Sequence, residues 1–276
     1  MTVPSHNSPY DADVEVAVRA ARRAADIIRD HAGHLDDVRA KGVNDFVTAT
    51  DDAAQEAIIQ VLSQGAPGDD IIAEETDRTD YVRSPSGRRW IVDPLDGTTN
   101  FMQQVPPYAV SIALQEGARL LVAVVLDVPH DELFTAVAGH GLRRNGEEAG
   151  VSETDRFQDA FLATGFPYRH FEHTDAYVEV LASVIRNSRG VRRHGSAAVD
   201  LARLACGRFD GFFETGLDPW DVAAGTLLVR EAGGRVTDYQ NEAGLSPLFD
   251  RQVCATNGKV HRALLDHLGS MKDIRL

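Results

Sequence analysis

The stretch 90–101 constrains the fold most, because it places a strand, a proline and two carboxylates side by side in Trp-Ile-Val-Asp-Pro-Leu-Asp-Gly-Thr-Thr-Asn-Phe. Its apolar start predicts a buried strand, and Pro94 cannot donate a ladder hydrogen bond, so we expect the strand to end at Asp93 in a turn. The carboxylates of Asp93 and Asp96 suit Mg²⁺, and free N–H groups around Gly97 suit phosphate. The stretch therefore indicates metal-assisted phosphate chemistry. An ordinary turn is the alternative, since Asp-Pro and Asp-Gly are common turn formers.

The composition narrows the class of protein. The chain has 276 residues, of which 43% are hydrophobic, and a formal net charge of −14 at pH 7. This size is enough for one compact unit or for two closely packed halves. The negative charge argues against a nucleic-acid surface, which would show a basic patch. It would also repel an anionic ligand unless bound divalent cations reverse the field locally. Adaptation to high salt would produce the same acidity, and that alternative stays open.

Candidate targeting segments and the two cysteines bear on the cellular compartment of the protein. No apolar run approaches the roughly 20 residues that cross a bilayer, so we expect no membrane association. Residues 1–11 are polar and lack the basic and apolar regions of a signal peptide, and we expect them to form a flexible tail. Cys206 and Cys254 lie far apart without metal-ligand spacing, as is typical of reduced thiols in a cytosolic protein. We therefore expect a cytoplasmic location.

Residues 12–150 are predicted to form an N-terminal α+β half. Apolar residues recur at helical spacing from Val14 to Ile28, which predicts an amphipathic first helix. Asp51 is a good N-cap for a second helix, and capping is the plain interpretation of this residue. A short strand at 70–73 ends at Glu74, where a surface acidic side chain would be ordinary. Three alternating segments predict an antiparallel meander: 108–115, 120–128 and 133–138.

Residues 151–276 are predicted to form a C-terminal α/β half, after a polar boundary at 146–155. Ser196 opens a helix, and a strand at 209–213 ends at Glu214. Pro219 is well placed at the start of the next helix. Asp221 lies in the first turn of that helix, where a negative charge complements the helix dipole. For Arg193 and His194, just before this region, we expect a solvated arginine and a packed histidine.

Four carboxylates share one property, since each stands at or near the end of a predicted element beside a chain-breaking or small residue. They are Glu74, Asp93, Asp96 and Asp221. Carboxylates that crowd together need cations to compensate their charge, because desolvation and repulsion are otherwise too costly. A divalent metal centre is therefore predicted wherever the fold brings these four residues together.

The chain resembles the inositol monophosphatase family, the Mg²⁺-dependent, lithium-sensitive phosphatases. The matching segments follow one another with the family's order and spacing over roughly residues 12–270: Asp51 in Val-Thr-Ala-Thr-Asp, the pair Glu74-Glu75, and the runs 93–101, 195–198, 211–214 and 220–225. Ala73 departs from the family pattern, which usually has glycine before the glutamate pair, but it touches no ligand. The resemblance implies an α/β (α+β) fold, a layered α-β-α-β-α sandwich, and a homodimer.

The resemblance also implies a set of metal-binding residues. Glu74, Asp93 and the carbonyl of Leu95 would bind a first Mg²⁺. Asp93, Asp96 and Asp221 would hold a second, so that Asp93 bridges the two ions. A third, weaker ion would lie on Glu74 and water, which gives two or three ions in each site.

The catalytic roles follow from the same resemblance. The N–H groups of Gly97 and Thr98 would hold the phosphate. Thr98 together with Asp51 would orient and deprotonate the attacking water, already acidified by metal, and Glu74 would belong to the catalytic residues as well. In-line attack would need no covalent intermediate.

Substrate choice would depend on the second half of the chain. Glu214 and the backbone at Ser196 and Ala197 resemble the groups that contact inositol hydroxyls in relatives, as do Asp96 and Asp221. A surface charge at a strand end is the plain alternative for Glu214.

The resemblance therefore implies an Mg²⁺-dependent phosphomonoesterase for myo-inositol 1-phosphate and related sugar or polyol phosphates. The same site framework serves relatives that act on fructose 1,6-bisphosphate, histidinol phosphate or 3′-phosphoadenosine 5′-phosphate, so these substrates stay open. Glu214 and the run 195–198 favour inositol phosphate by resemblance only.

A regulatory binding protein is the alternative from another class, because some bacterial relatives have roles in RNA-polymerase complexes. A chain that had abandoned catalysis should have lost a metal ligand or the pair Thr98 and Asp51. All of these residues are present. The strong acidity also argues against direct contact with nucleic acid.

Overall fold

The structure is a computed structural model that describes residues 5–33, 38–42, 45–76, 87–167 and 171–274. Its helices are α1 (Asp11–His31), α2 (Ala49–Gly65), α3 (Thr98–Met102), α4 (Thr174–Asn187), α5 (Ala197–Ala205), α6 (Pro219–Glu231), α7 (Ser246–Phe249) and α8 (His261–His267). Its strands are β1 (Arg39–Gly42), β2 (Asp45–Val47), β3 (Asp70–Ala73), β4 (Arg88–Asp96), β5 (Ala109–Glu116), β6 (Arg119–Asp127), β7 (Glu132–Val137), β8 (Leu142–Arg144), β9 (Glu147–Ala149), β10 (Phe161–Thr164), β11 (Gly190–Arg192), β12 (Gly211–Thr215), β13 (Arg235–Thr237) and β14 (Gln252–Thr256).

The large sheet follows the order β3-β4-β5-β6-β7-β8-β9 within the described residues. Strands β3 and β4 are parallel, and the remaining neighbours are antiparallel. The meander predicted from three alternating segments is confirmed as β5, β6 and β7. Because β3 and β4 run in the same direction, the residues that follow them meet at one edge of the sheet.

The small sheet follows the order β11-β10-β12-β14-β13 in the described part of the chain. Strand β10 is parallel to β11 and β12, whereas β14 is antiparallel to β12 and β13. Strands β1 and β2 form a separate antiparallel pair. The carboxyl ends of β10 and β12 therefore also lie together.

Both faces of the large sheet are apolar and covered by helices. Alternate residues of a strand point to opposite faces, so the side chains of its central strands pack against different helices on the two sides. Along β6, Val122 and Val124 pack in a cluster with α1 and α2. Ala123 and Val125 point the other way and pack in a cluster with α5 and α6. The sheet is thus enclosed between two helical layers.

The small sheet covers the other side of α5 and α6. On β12, Phe212 joins the cluster that contains these helices, while Phe213 packs with α4 and α8 on the opposite face. The layers therefore run α1 and α2, large sheet, α5 and α6, small sheet, α4 and α8. The layered α-β-α-β-α sandwich implied by the resemblance is confirmed.

Strand β4 continues through Pro94, so the prediction that it ends at Asp93 is wrong. Asp93 pairs with Ser111 and Asp96 pairs with Ala109, which leaves two residues of β4 opposite one residue of β5. This is a β-bulge, and a bulge accommodates a residue that has no N–H to donate to the ladder. The strand then ends at Asp96, and α3 begins two residues later.

His6 holds the N-terminal segment against the large sheet, in contrast to the flexible tail expected for residues 1–11. The buried His6 ring has its Nε2 2.9 Å from Oγ1 of Thr135 on β7. Burial lowers the pKa of this histidine. Asp11 accepts hydrogen bonds from the Ser5 hydroxyl at 2.6 Å and the Ser8 hydroxyl at 2.9 Å. Residues 1–4 lie outside the described residues.

The two sheets come from consecutive parts of the chain, since β9 ends at Ala149 and β10 begins at Phe161. We therefore retain the division near residue 150 as a proposal. Helices α5 and α6 pack against both sheets, so the two halves would share one apolar cluster. None of the described helices is both long and apolar enough to span a membrane.

Helices α5 and α6 pack closely at Gly225, and this contact predicts a stability effect. A Cβ on Gly225 would lie 2.6 Å from the Cβ of Leu201, an atom that side-chain rotation cannot move away. Overpacking costs about 1–3 kcal/mol, and this contact belongs at the upper end of that range because a Cβ cannot rotate away. After the gain of about 1 kcal/mol that alanine brings to a helix, we expect Gly225→Ala to lower the free energy of unfolding by about 1–2 kcal/mol. Chemical denaturation measures the difference.

Gly269→Ala is the control, because a Cβ there would meet no atom within 4 Å. Its unfolding free energy should stay within about 0.5 kcal/mol of the wild-type value. A Gly225→Ala variant as stable as the wild-type protein would contradict the close helix contact.

Candidate active site

The parallel pairing of β3 and β4 brings Glu74 and Asp93 to one edge of the large sheet. Ala73 pairs with Val92, and the N–H of Glu74 donates to the carbonyl of Val92 at 3.2 Å. The next residue of each strand therefore lies beside the other. Asp93 is 1% exposed, and its Oδ1 accepts the N–H of Leu95 at 2.9 Å. The β-bulge thus holds one oxygen of this carboxylate in place.

Asp96 connects the end of β4 to the start of α5. Its Oδ2 accepts the Ser196 hydroxyl at 2.5 Å and the N–H of Ala198 at 2.8 Å. A negative charge is stabilised at this position because the first N–H groups of a helix have no partner within the helix. The buried Asp96 carboxylate therefore joins the large sheet to the layer between the sheets.

Asp51 and Asp221 each close the N-terminus of a helix with one oxygen. The N–H of Thr48 donates to Oδ2 of Asp51 at 2.8 Å, and the N–H of Asp218 donates to Oδ2 of Asp221 at 2.7 Å. The other oxygen of Asp51 accepts the Thr98 hydroxyl at 3.0 Å. Helix capping and a place in the site are therefore compatible roles for the same carboxylate.

A cavity of about 390 Å³ brings the predicted residues together. Its described lining includes Glu74, Asp93, Leu95, Asp96, Gly97, Thr98, Ser196, Ala197, Glu214 and Asp221. Asp51 is fully buried behind Thr98, to which it is hydrogen-bonded. The large sheet supplies one wall of the cavity, and α5, α6 and the end of β12 supply the other.

Burial and mutual repulsion raise the pKa of the carboxyl groups in this cavity. Burial raises the pKa of Asp93 well above its ordinary value, and the charges of Glu74, Asp96 and Asp221 add to the effect. The pKa of Asp221 is also raised well above its ordinary value, first by burial and then by Glu74 and Asp96. Burial raises the pKa of Asp96 to about 7, although the hydrogen bonds from Ser196 and Ala198 lower it. Without cations, the ionised cluster is unfavourable.

The donor set fits a hard divalent cation. Asp93, Asp96 and Asp221 each hold one oxygen on a protein donor, and their other oxygen accepts no hydrogen bond from any described residue. Carboxylate and carbonyl oxygens are the ligands that Mg²⁺ takes in proteins. Among the described residues, no three acidic, histidine or cysteine side chains are already arranged to coordinate one metal ion. The fit therefore rests on the chemistry of these oxygens and on their place in one cavity.

Asn100 also lines the cavity, although its sequence context does not mark it as a candidate site residue. Its Nδ2 donates to the carbonyl of Pro107 at 2.8 Å and to the carbonyl of His194 at 2.7 Å. Gly97 and Gly195 approach each other nearby, since a Cβ on Gly97 would lie 3.1 Å from the Gly195 carbonyl oxygen. An asparagine that follows two threonines is ordinary in sequence. No local sequence pattern predicts its hydrogen bond to His194, which lies 94 positions away in the chain.

Arg193 and His194 take different positions around the cavity. His194 is packed as predicted, with Nδ1 2.7 Å from Asp200 and its ring centre 5.5 Å from that of Phe209. Arg193 is exposed as predicted but also lines the cavity, and its guanidinium lies 5.6 Å from the centre of the Phe166 ring. Among the described lining residues, Arg193 carries the only positive charge.

Comparison with known proteins assigns the family. The sequence model described as the inositol monophosphatase family matches residues 10–272. The chain belongs to the inositol monophosphatase family. Nus factor SuhB of Salmonella typhimurium is 43% identical to this chain over 255 residues. The aligned part covers 92% of this chain and 94% of the Salmonella protein.

Two solved structures of the inositol monophosphatase fold resemble this chain closely. The extragenic suppressor protein suhB from Bartonella henselae has a TM-score of 0.87 and 38% identity, covering 95% of this chain and 100% of the other. The inositol monophosphatase from Anabaena has a TM-score of 0.81 and 36% identity, covering 92% and 94%. Inositol monophosphatase family members are generally Mg²⁺-dependent, and membership supports phosphatase activity here.

The raised pKa values predict how stability depends on pH when divalent cations are absent. An acid whose pKa is higher in the folded state contributes fully to stability below its unfolded pKa, and this contribution is lost as pH rises through the folded pKa. For Asp96 the window extends from its ordinary value of 3.8 to about 7. We expect the Tm of the metal-free protein to fall across this window relative to that of Asp96→Asn. Differential scanning calorimetry measures both profiles.

Added Mg²⁺ should raise the Tm of the wild-type protein more near pH 7.5 than near pH 5, because ligand binding to the ionised folded state stabilises it. The same addition to Asp96→Asn should have a smaller effect. Parallel pH profiles for the two proteins, with equal responses to Mg²⁺, would contradict the ionised carboxylate cluster.

Proposed function

We propose that this protein hydrolyses phosphate monoesters of myo-inositol and related polyols with the help of Mg²⁺. The observation that carries the proposal is the convergence of four carboxylates on one cavity that also contains Gly97 and Thr98. The chain is acidic overall, so an anionic ester needs local positive charge to enter this cavity. Divalent cations on the carboxylates would supply that charge.

The metal ligands we propose are those that line the cavity with oxygen atoms. Glu74, Asp93 and the carbonyl of Leu95 would hold one ion, and Asp93, Asp96 and Asp221 would hold another. A third ion would lie on Glu74. When bound, Mg²⁺ supplies positive charge to the phosphate and the leaving oxygen and lowers the pKa of water. Support comes from the available oxygens of the three aspartates and from membership of a family that is generally Mg²⁺-dependent.

Thr98 and Asp51 would handle the proton of the attacking water. The Thr98 hydroxyl lies 3.0 Å from Oδ1 of Asp51 and 3.1 Å from the carbonyl of Leu95. A hydroxyl has one proton to donate and two lone pairs that accept. When Thr98 donates inward to Asp51, its lone pairs can accept a hydrogen bond from water in the cavity. The pair would thus orient the water and pass its proton to Asp51 as general base.

The two walls of the cavity would divide phosphate binding from substrate selection. The N–H groups of Gly97 and Thr98 would hold phosphate oxygens, helped by the positive φ of 94° that turns the backbone at Gly97. Across the cavity, Glu214 and the backbone at Ser196 and Ala197 would contact the hydroxyls of the alcohol. Asp96 and Asp221, which would also hold metal, would add contacts to these hydroxyls.

The preference for inositol 1-phosphate over other esters is part of the proposal. Its support is the position of Glu214 in the cavity wall together with the likeness to the Anabaena inositol monophosphatase. Lithium sensitivity, a homodimer and a cytoplasmic location are further predictions from the family resemblance and the sequence. Fructose 1,6-bisphosphate, histidinol phosphate and 3′-phosphoadenosine 5′-phosphate remain alternatives on the same chemistry.

A regulatory role in transcription complexes is the second candidate. The name Nus factor SuhB, carried by a relative 43% identical to this chain, favours it. Because the predicted catalytic residues are all retained, we propose this role in addition to hydrolysis and not in its place.

Phosphate release from a panel of esters tests the proposed function. The panel contains inositol 1-phosphate and the three alternative substrates, each with millimolar Mg²⁺ and with or without lithium. We expect inositol 1-phosphate to be hydrolysed fastest and lithium to inhibit the reaction. Faster hydrolysis of another ester would support the phosphatase activity but contradict inositol 1-phosphate as the preferred substrate. Release from none of them would overturn hydrolysis and leave the regulatory role as the first candidate.

Asp93→Asn should abolish activity, because Asp93 would contact two ions at once. Loss of a single stabilising donor costs about 10²–10³-fold in kcat, and we expect a loss of more than about 10³-fold here. Initial rates at saturating Mg²⁺ measure it. The control is Asp131→Asn, which removes a surface carboxylate paired with Arg29 at 2.9 Å. Asp93→Asn turnover within tenfold of the wild-type rate would contradict the bridging role.

A further inference from the structure

Gly165 lies directly beside Glu214 at the carboxyl ends of two parallel strands. Strands β10 and β12 are in register at Thr164 and Phe213. Gly165 follows Thr164 directly after the end of β10, and Glu214 follows Phe213 within β12. Residues that are neighbours in register point to the same face of a sheet. A side chain at position 165 would therefore point to the face that carries the Glu214 side chain.

The carboxylate of Glu214 occupies the space that a side chain at position 165 would fill. A Cβ on Gly165 would lie 1.8 Å from Oε1, 1.9 Å from Cδ and 2.2 Å from Oε2 of Glu214. These distances are far inside van der Waals contact. The backbone of Gly165 is not in the left-handed region, so its conformation does not require glycine. Space for the carboxylate is the reason that the structure offers for glycine at this position.

The strand ends beneath the carboxylate are fixed by buried hydrogen bonds. The Thr164 hydroxyl donates to the carbonyl of Phe213 at 2.7 Å and lies 3.0 Å from the hydroxyl of Tyr177. All three residues are buried. The two strands therefore cannot separate easily to admit a methyl group. The end of the Glu214 side chain is flexible, so a larger residue at position 165 would move the carboxylate and leave the strands in place.

We propose that Gly165 is a specificity-determining residue that lets the Glu214 carboxylate reach the substrate cavity. The inference rests on the proposed function and deepens it. The carboxylate accepts hydrogen bonds from the hydroxyls of a polyol phosphate, and the absence of a side chain at position 165 keeps it in reach. Gly165 is a positioning residue, because it acts through Glu214. The phosphate end of the substrate is held by the opposite wall, around Asp93 and Thr98, and does not depend on it.

Two esters that differ only in ring hydroxyls test this inference. Inositol 1-phosphate and cyclohexyl phosphate share a six-membered ring and an alkyl phosphate, but cyclohexyl phosphate offers Glu214 no hydroxyl. We expect Gly165→Ala to lower kcat/KM for inositol 1-phosphate by about 10- to 100-fold, the effect of losing hydrogen bonds to a charged group. Most of the loss should be in KM, since these contacts are made in the ground state as well. The change for cyclohexyl phosphate should be at least about fivefold smaller.

Gly190→Ala is the matched control on the adjacent strand β11. A Cβ there would meet no atom closer than 3.5 Å, on the Phe161 ring, so the ratio of the two kcat/KM values should stay at its wild-type level. Thermal melting of each variant separates a change in selectivity from a failure to fold.

A double-mutant cycle shows whether Gly165 acts through Glu214. Glu214→Ala should lower the selectivity ratio by itself, and adding Gly165→Ala to it should cause no further loss, because residues that act through one contact are not additive. Additive losses, or a Gly165→Ala ratio equal to that of the wild-type protein, would overturn the inference.

The wild-type protein alone distinguishes the two proposals. If the wild-type protein hydrolysed both esters equally well, the inference about Gly165 would be overturned, but the proposed phosphatase activity would be supported. Release from neither ester would be a failure of the proposed function, and the inference would be overturned with it.

Discussion

Four carboxylates share one cavity, and their mutual repulsion is the constraint on which the rest of the site depends. Each aspartate of the group is held by a backbone or hydroxyl donor: the β-bulge fixes Asp93, the start of α5 fixes Asp96, and the start of α6 fixes Asp221. These donors stabilise the charged forms but do not cancel the effects of burial and of mutual repulsion, and the pKa values of the three aspartates remain raised. An arrangement of this kind is stable at neutral pH when cations bind between the carboxylates.

The layered fold brings these groups together from distant parts of the chain. Glu74 meets Asp93 because β3 and β4 are parallel, and α5 and α6 reach the same edge because they pack between the two sheets. The Asn100 amide on α3 then donates to the carbonyl of His194, and the Asp96 carboxylate at the end of β4 accepts the Ser196 hydroxyl at the start of α5. Most of the proposed metal ligands lie on the wall that the large sheet supplies, and Asp221 joins them from α6. The groups proposed to select the substrate, Glu214, Ser196 and Ala197, lie on the wall formed by α5 and the end of β12.

Periodicity and turn residues predict most elements here, because alternating and helical patterns are local. The amphipathic α1, the meander of β5 to β7 and the start of α6 at Pro219 follow from such patterns. The course of β4 through Pro94 does not follow from a local pattern, since a bulge depends on the partner strand and not on the proline alone. The sequence-predicted site residues lie in or beside one cavity, and their roles stay predictions, whereas Asn100 and Gly165 have ordinary local sequences. Their roles depend on His194 and Glu214, which only the tertiary structure places beside them.

Anomalous diffraction shows directly whether the carboxylates of the cavity bind divalent cations. Mn²⁺ accepts the same oxygen ligands as Mg²⁺ and gives a strong anomalous signal, so crystals of the wild-type protein soaked in Mn²⁺ are the appropriate sample. We expect at least two anomalous peaks in the cavity, with Asp93 in contact with both and with Asp96 and Asp221 in contact with one of them. A map at saturating Mn²⁺ with no peak beside Asp93 would contradict this expectation.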